Sequence, residues 1–91
     1  MELEWTREAL ADLVRLYEFL APVNQQAAAS AVQALTAAPT SLFDNPRIGE
    51  QLLHFEPREV RRIIVRQYEI RYEIKKTTIY VLRLWHTREK R

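Results

Sequence analysis

Near its end the chain reads Leu82-Arg83-Leu84-Trp85-His86-Thr87-Arg88, which sets a histidine two residues before an arginine. A histidine exchanges protons near neutral pH, and a neighbouring guanidinium can neutralise charge that develops while a bond breaks. Taken by itself, a histidine closing a strand is more often an ordinary surface residue, so the pair needs partners before it means chemistry. Candidate partners are plentiful. Arg61, Arg62, Arg66, Arg71 and Arg83 precede it, and Lys90 follows. Arginine presents a planar, permanently charged fork matched to phosphate and carboxylate, so this group reads as an anion-binding surface. Trp85 suits either stacking on a nucleobase or packing in a core.

The distribution of charge points the same way. The chain has 91 residues and a formal net charge of +2. Residues 1–57 hold three basic side chains against eight acidic ones, whereas residues 58–91 hold eleven against four. Such asymmetry points to a polyanionic or strongly acidic partner. Other chemistries are excluded. There is no cysteine, so neither a disulfide framework nor a thiolate metal site is available. His54 and His86 are too few and too far apart to make a metal centre, and no metal or other cofactor is expected. Gly49 is the single glycine, which rules out glycine-rich phosphate and dinucleotide loops. No apolar run is long enough for a membrane span and no cleavable leader is present, so a soluble, cytoplasmic protein is expected.

The elements that must carry these residues follow from periodicity. Met1–Trp5 is predicted as a strand, and Thr6 suits the N-cap of a first helix with Glu8 in its first turn. Leu10, Leu13, Val14, Tyr17, Leu20 and Ala21 then recur at helical spacing as one apolar face. Pro22 ends that helix, and Asn24 caps an alanine-rich second helix over residues 27–38. Its small side chains allow close approach, so an antiparallel helical hairpin is expected. Pro39 must end or kink it. Residues 44–57 carry Asn45-Pro46, Gly49 and Pro57 and read as a loop. Beyond them the period changes to two. Tyr68-Glu69-Ile70-Arg71-Tyr72-Glu73-Ile74-Lys75 alternates apolar and charged residues without interruption, the pattern of a strand with one buried face. Residues 60–66 and 78–85 supply neighbouring strands through short connections that lack the usual glycine. The fold class is therefore α+β, one domain over residues 1–91 with order β-α-α-β-β-β. The helical hairpin lies on one face of an antiparallel sheet. Glu69, Arg71, Glu73 and Lys75 project from the other face, joined by Arg61 or Arg62 and by Arg83. Cross-strand pairing in solvent accounts for Glu69, Glu73 and Lys75 but not for the arginines beside them.

Several segments in this order resemble the RelE/ParE family of toxins. They are Trp5-Thr6-Arg7-Glu8-Ala9 with Asp12-Leu13, Tyr17 and Phe19-Leu20; Asn45-Pro46-Arg47-Ile48-Gly49; Tyr68 to Tyr72; and Leu82 to Arg88. The resemblance spans essentially the whole chain. It implies a growth-arresting toxin of a type II toxin–antitoxin, or plasmid-stabilisation, system, neutralised by a cognate antitoxin. The family's branches differ in target: RelE-like and YoeB-like members cut messenger RNA on the ribosome, whereas ParE-like members block DNA gyrase without being enzymes. For the nuclease branch, Glu50 falls at the general base, His86 at the general acid, and Arg88 at an arginine stabilising the scissile phosphate. The central-strand arginine of the nucleases corresponds to Glu69 here, with Arg71 two residues on as its substitute. Arg61, Arg62, Arg66, Arg83 and Lys90 would hold RNA. The group Glu50, Arg71, His86 and Arg88 tips the expectation slightly toward RNA cleavage. Gyrase inhibition is the alternative, and a plain basic nucleic-acid-binding module is a third.

Overall fold

The computed structural model describes residues 1–89. Strand β1 (Glu2–Trp5) leads into helix α1 (Arg7–Leu20), and helix α2 (Gln25–Ala37) returns beside it. A 3-10 turn (Ala38–Phe43), a two-residue strand β2 (Glu50–Gln51) and a second 3-10 turn (Leu53–Phe55) follow. Strands β3 (Glu59–Val65), β4 (Tyr68–Lys75) and β5 (Thr78–His86) complete a sheet of order β1-β5-β4-β3-β2. The expected α+β architecture is present, with two differences. β1 runs parallel to β5, so the sheet is mixed, and β2 adds an edge strand inside the expected loop.

Both helices start where their caps demand. The Thr6 hydroxyl accepts from the Ala9 amide at 3.1 Å, and the Asn24 side-chain oxygen accepts from the Ala27 amide at 3.0 Å. Helix α2 stops at Ala37, and Pro39 becomes part of the tighter 3-10 turn. Ala28, Ala31 and Leu35 bury its inner side. Helix α1 is rotated from expectation. Its buried stripe is Ala9, Asp12 and Leu16, flanked by Leu13 and Leu20, while Leu10 and Val14 are more than half exposed.

Asp12 is the reason. Its carboxylate accepts from Arg83 Nε at 2.8 Å, Arg83 NH2 at 3.2 Å and the Leu84 amide at 2.9 Å, with a longer contact from Arg15. Arg15 NH2 also donates to the Leu84 carbonyl, and the Thr6 hydroxyl donates to the Leu82 carbonyl. Beyond Val81, where β1 stops pairing, α1 thus supplies the hydrogen bonds that an edge strand would otherwise leave open. Burial would raise the Asp12 pKa, but the bonds from Arg83 and the Leu84 amide win and hold it below the usual carboxylate range.

Between the hairpin and the sheet lies the core. Leu16, Leu35, Ile70, Val81 and Leu84 form one part, and Leu42, Tyr72, Ile74 and Ile79 the other. The β3–β4 and β4–β5 turns place Arg66 and Lys76 at φ 56° and 58°, left-handed conformations for which the sequence has no glycine to spare. Gly49 serves a different need. A Cβ there would sit 2.6 Å from the Tyr72 hydroxyl and 2.7 Å from the Arg62 carbonyl. The Gly49 amide donates to that hydroxyl, which donates in turn to the Pro46 carbonyl at 2.7 Å. This anchor fixes the loop from which Glu50 projects.

Two stability outcomes follow. Asp12→Ala leaves the buried Leu84 amide without its acceptor and removes the partner of the half-exposed Arg83, and is expected to cost about 1–3 kcal/mol in urea unfolding. Because the folded carboxyl is depressed, its stabilisation is complete above its ordinary value of 3.8 and is lost as pH falls through the lower folded value. The variant's stability is therefore expected to fall less steeply in that acid range than the wild type's. Gly49→Ala is expected to cost about 1–3 kcal/mol through the overpacked contact, read as a lower thermal midpoint.

Candidate functional site

The face of the sheet turned away from the helices is ordered in rows, because directly opposed residues on adjacent strands share a face. Arg62, Arg71 and Arg83 form one row across β3, β4 and β5. Ile64, Glu69 and Trp85 form the row above it, and Val60, Glu73 and Tyr80 the row below. Glu50 on β2 stands opposite Arg62 and accepts from its Nε at 2.8 Å. Among the sequence-predicted residues, Glu50, Arg62, Arg71 and Arg83 therefore share this surface.

Like charges standing opposite one another repel, and here each is offset by a carboxylate. Arg83 reaches round the strand edge to Asp12. Glu69, only 1% exposed, lies 3.3 Å from Arg62 NH1 and 3.5 Å from Arg71 NH2. The Arg71 guanidinium sits between two aromatic rings, 4.6 Å from the Trp85 centroid and 5.3 Å from that of Phe55. Arg83 also lies over Trp85, at 5.1 Å. Cation–π attraction of this kind strengthens as water is excluded. In the lower row Arg58 grips Glu73 with two bonds of 3.1 and 2.8 Å, and that pairing depresses the Glu73 pKa despite its partial burial. Bonding to Glu50 likewise raises the Arg62 pKa. The face is a packed, internally paired layer rather than a bare cationic plate.

His86 and Arg88 lie elsewhere. In β5 the residues facing Arg71 and Tyr72 are Arg83 and Val81, so Leu82 is the extra residue of a β-bulge. The bulge reverses the alternation. Arg83 and Trp85 join the outer face, and Leu84 and His86 turn toward the helices. His86 stands opposite Tyr68, whose ring it meets edge-on at 5.3 Å. Its Nδ1 accepts from the Arg88 amide at 3.1 Å, which leaves Nε2 to donate to the Gln67 side chain at 3.2 Å. Glu89 accepts from the His86 amide and pairs with Arg15, tying the turn to α1. These residues border a groove of about 600 Å³ with Leu16, Phe19 and Leu20 on its helical wall. The geometry thus does not bring His86 and Arg88 to Glu50 and Arg71.

The remaining expected RNA-binding residues are also dispersed. Arg61 faces the helix side, opposite Tyr72, and donates to the Gly49 and Arg47 carbonyls and to Glu59. Its task is to hold the loop. Arg66 lies in the β3–β4 turn and reaches Ser30 on α2 at 3.3 Å. Lys90 falls outside the described residues. Asp12, Phe55 and the burial of Glu69 escaped sequence reasoning. Asp12 alone gave a usable signal, since a charged residue four before Leu16 lies on the stripe between Ala9 and Leu16. Among the described residues no three histidine or acidic side chains gather as metal ligands, and no helix is long and apolar enough to cross a membrane.

Comparison with known proteins places this architecture. Among curated proteins none matches the chain. Among solved structures, one described as the chromosomal ParDE TA system from P. aeruginosa is similar, with a TM-score of 0.79 and 26% sequence identity. The match covers 94% of this chain and 95% of that one. The sequence profile of the ParE toxin of the parDE type II toxin–antitoxin system matches residues 3–91. A match over nearly the full length, on the same fold, is decisive: the chain belongs to the ParE toxin family of type II toxin–antitoxin systems.

Proposed function

We propose that this toxin arrests growth by a non-enzymatic block of DNA gyrase, and that a cognate antitoxin neutralises it. One observation carries the choice against RNA cleavage. Cleaving a phosphodiester through its 2′-hydroxyl needs a base and an acid on opposite sides of one phosphate, each within hydrogen-bond reach. Glu50 and His86 stand on opposite faces of the sheet, and the bulge at Leu82 keeps them apart. Arg71, the notional phosphate-binding arginine, already contacts Glu69 and lies over the Phe55 and Trp85 rings. His86 is engaged in holding the C-terminal turn. Membership of the ParE family supports the same reading.

Induction in cells, with messenger RNA integrity and plasmid supercoiling followed together, tests it. Intact messages beside altered supercoiling are the expected result, with growth restored by co-expressed antitoxin. Glu50→Gln and His86→Gln are expected to keep toxicity within about threefold. A nuclease dependent on those groups would lose about 10²–10⁴-fold. Messages cut on induction but spared in His86→Gln would refute the proposal.

A further inference from the structure

We infer that the Glu69 carboxylate is the built-in occupant of an anion site formed by the arginine row, and that it bars nucleic-acid phosphates from this face. The inference stands apart from the choice of cellular target, because binding in vitro reads it directly.

Three arginines directly opposed on adjacent strands attract anions, and each already meets a carboxylate: Arg83 meets Asp12, Arg62 meets Glu50 and Glu69, and Arg71 meets Glu69. Glu69 lies one residue pair above them in the same face, between Ile64 and Trp85 on the flanking strands. Its carboxylate is almost completely shielded from water and touches both Arg62 and Arg71. Those contacts, at 3.3 and 3.5 Å, are long for charge-assisted hydrogen bonds, which close to about 2.7–2.9 Å when optimised. A buried pair of such geometry is weakly justified as a stabilising device, since an apolar residue of similar volume often serves as well or better. Its consequence for binding is plainer. The Arg71 guanidinium lies over the Phe55 and Trp85 rings, and Glu69 lies within reach of the same group. An intramolecular carboxylate has an effective concentration that a phosphate in solution cannot match. A phosphodiester approaching the row therefore meets a negative charge already in place.

The test uses the intact toxin and a short fluorescein-labelled single-stranded RNA, with anisotropy measured between about 50 and 200 mM salt. Glu69→Gln keeps the side-chain size and removes the charge. It is expected to bind RNA about tenfold more tightly at low salt, with the slope of log affinity against log salt steeper by about 0.7 for each arginine released. Arg62→Gln added to Glu69→Gln is expected to remove about half of that gain. Arg62→Gln alone is expected to match wild type, because its contact is already occupied. Glu69→Gln that retains the native circular dichroism spectrum yet binds no better than wild type would overturn the inference. So would Arg62→Gln weakening the wild type's own RNA binding, a result readable even if Glu69→Gln failed to fold.

Discussion

Every side chain of β5 beyond Val81 takes its direction from one extra residue, Leu82. Counted from Thr78 without the bulge, alternation would put Arg83 beneath the hairpin and His86 on the outer face. One added residue reverses both, because the side-chain period of a strand is two. The bulge also lies where β1 ceases to pair and α1 takes over the edge of β5. Thr6 grips the Leu82 carbonyl, and Asp12 takes the Leu84 amide together with the Arg83 side chain. Helix rotation, the direction of Arg83 and the exclusion of His86 from the outer face are therefore parts of one arrangement.

Within that arrangement arginines of each half meet carboxylates of the other. Arg83 draws on a carboxylate from the opposite half of the chain, Asp12, and Arg15 pairs with Glu89 in the reverse sense. The acidic first half and basic second half thus partly neutralise each other across the fold. Part of the charge asymmetry that looks in sequence like an appetite for a polyanion is met internally, by Asp12 on Arg83 and Glu50 on Arg62. Glu59 shows the same economy, since burial would raise its pKa but Arg47 and Arg61 together depress it.

Elements driven by local rules were legible. The uninterrupted alternation from Tyr68 to Lys75 is β4 to the residue, and Thr6 and Asn24 cap the helices as their side chains suggest. Features set by tertiary contacts were not. Strand β2 is two residues long and exists because Glu50 and Gln51 meet Arg62 and Arg61 from far along the chain. The parallel pairing of β1 leaves no mark in its own four residues. No glycine announces the bulge, since Leu82 occupies it without a left-handed backbone. Glu69 alternates correctly with its neighbours, and pattern alone cannot separate a solvated carboxylate from one buried among arginines. The candidate catalytic group was therefore legible as residue types but not as a constellation.

The two faces of the sheet end up with different kinds of surface. Outward lies a close-set layer of guanidinium, carboxylate and ring, in which the cations' partners are built in. At the strand ends on the helix side lies an open groove with an apolar wall and a polar rim formed by Arg15, His86, Arg88 and Glu89. Phe19 on that wall is 78% exposed, and Val23 just beyond the helix is 90% exposed. Exposed apolar residues beside a polar rim are the ordinary composition of a protein–protein contact, whereas nucleic-acid surfaces depend on cations free to meet phosphate. His86 borders one end of the groove, where its ring nitrogens bond the Arg88 amide and the Gln67 side chain.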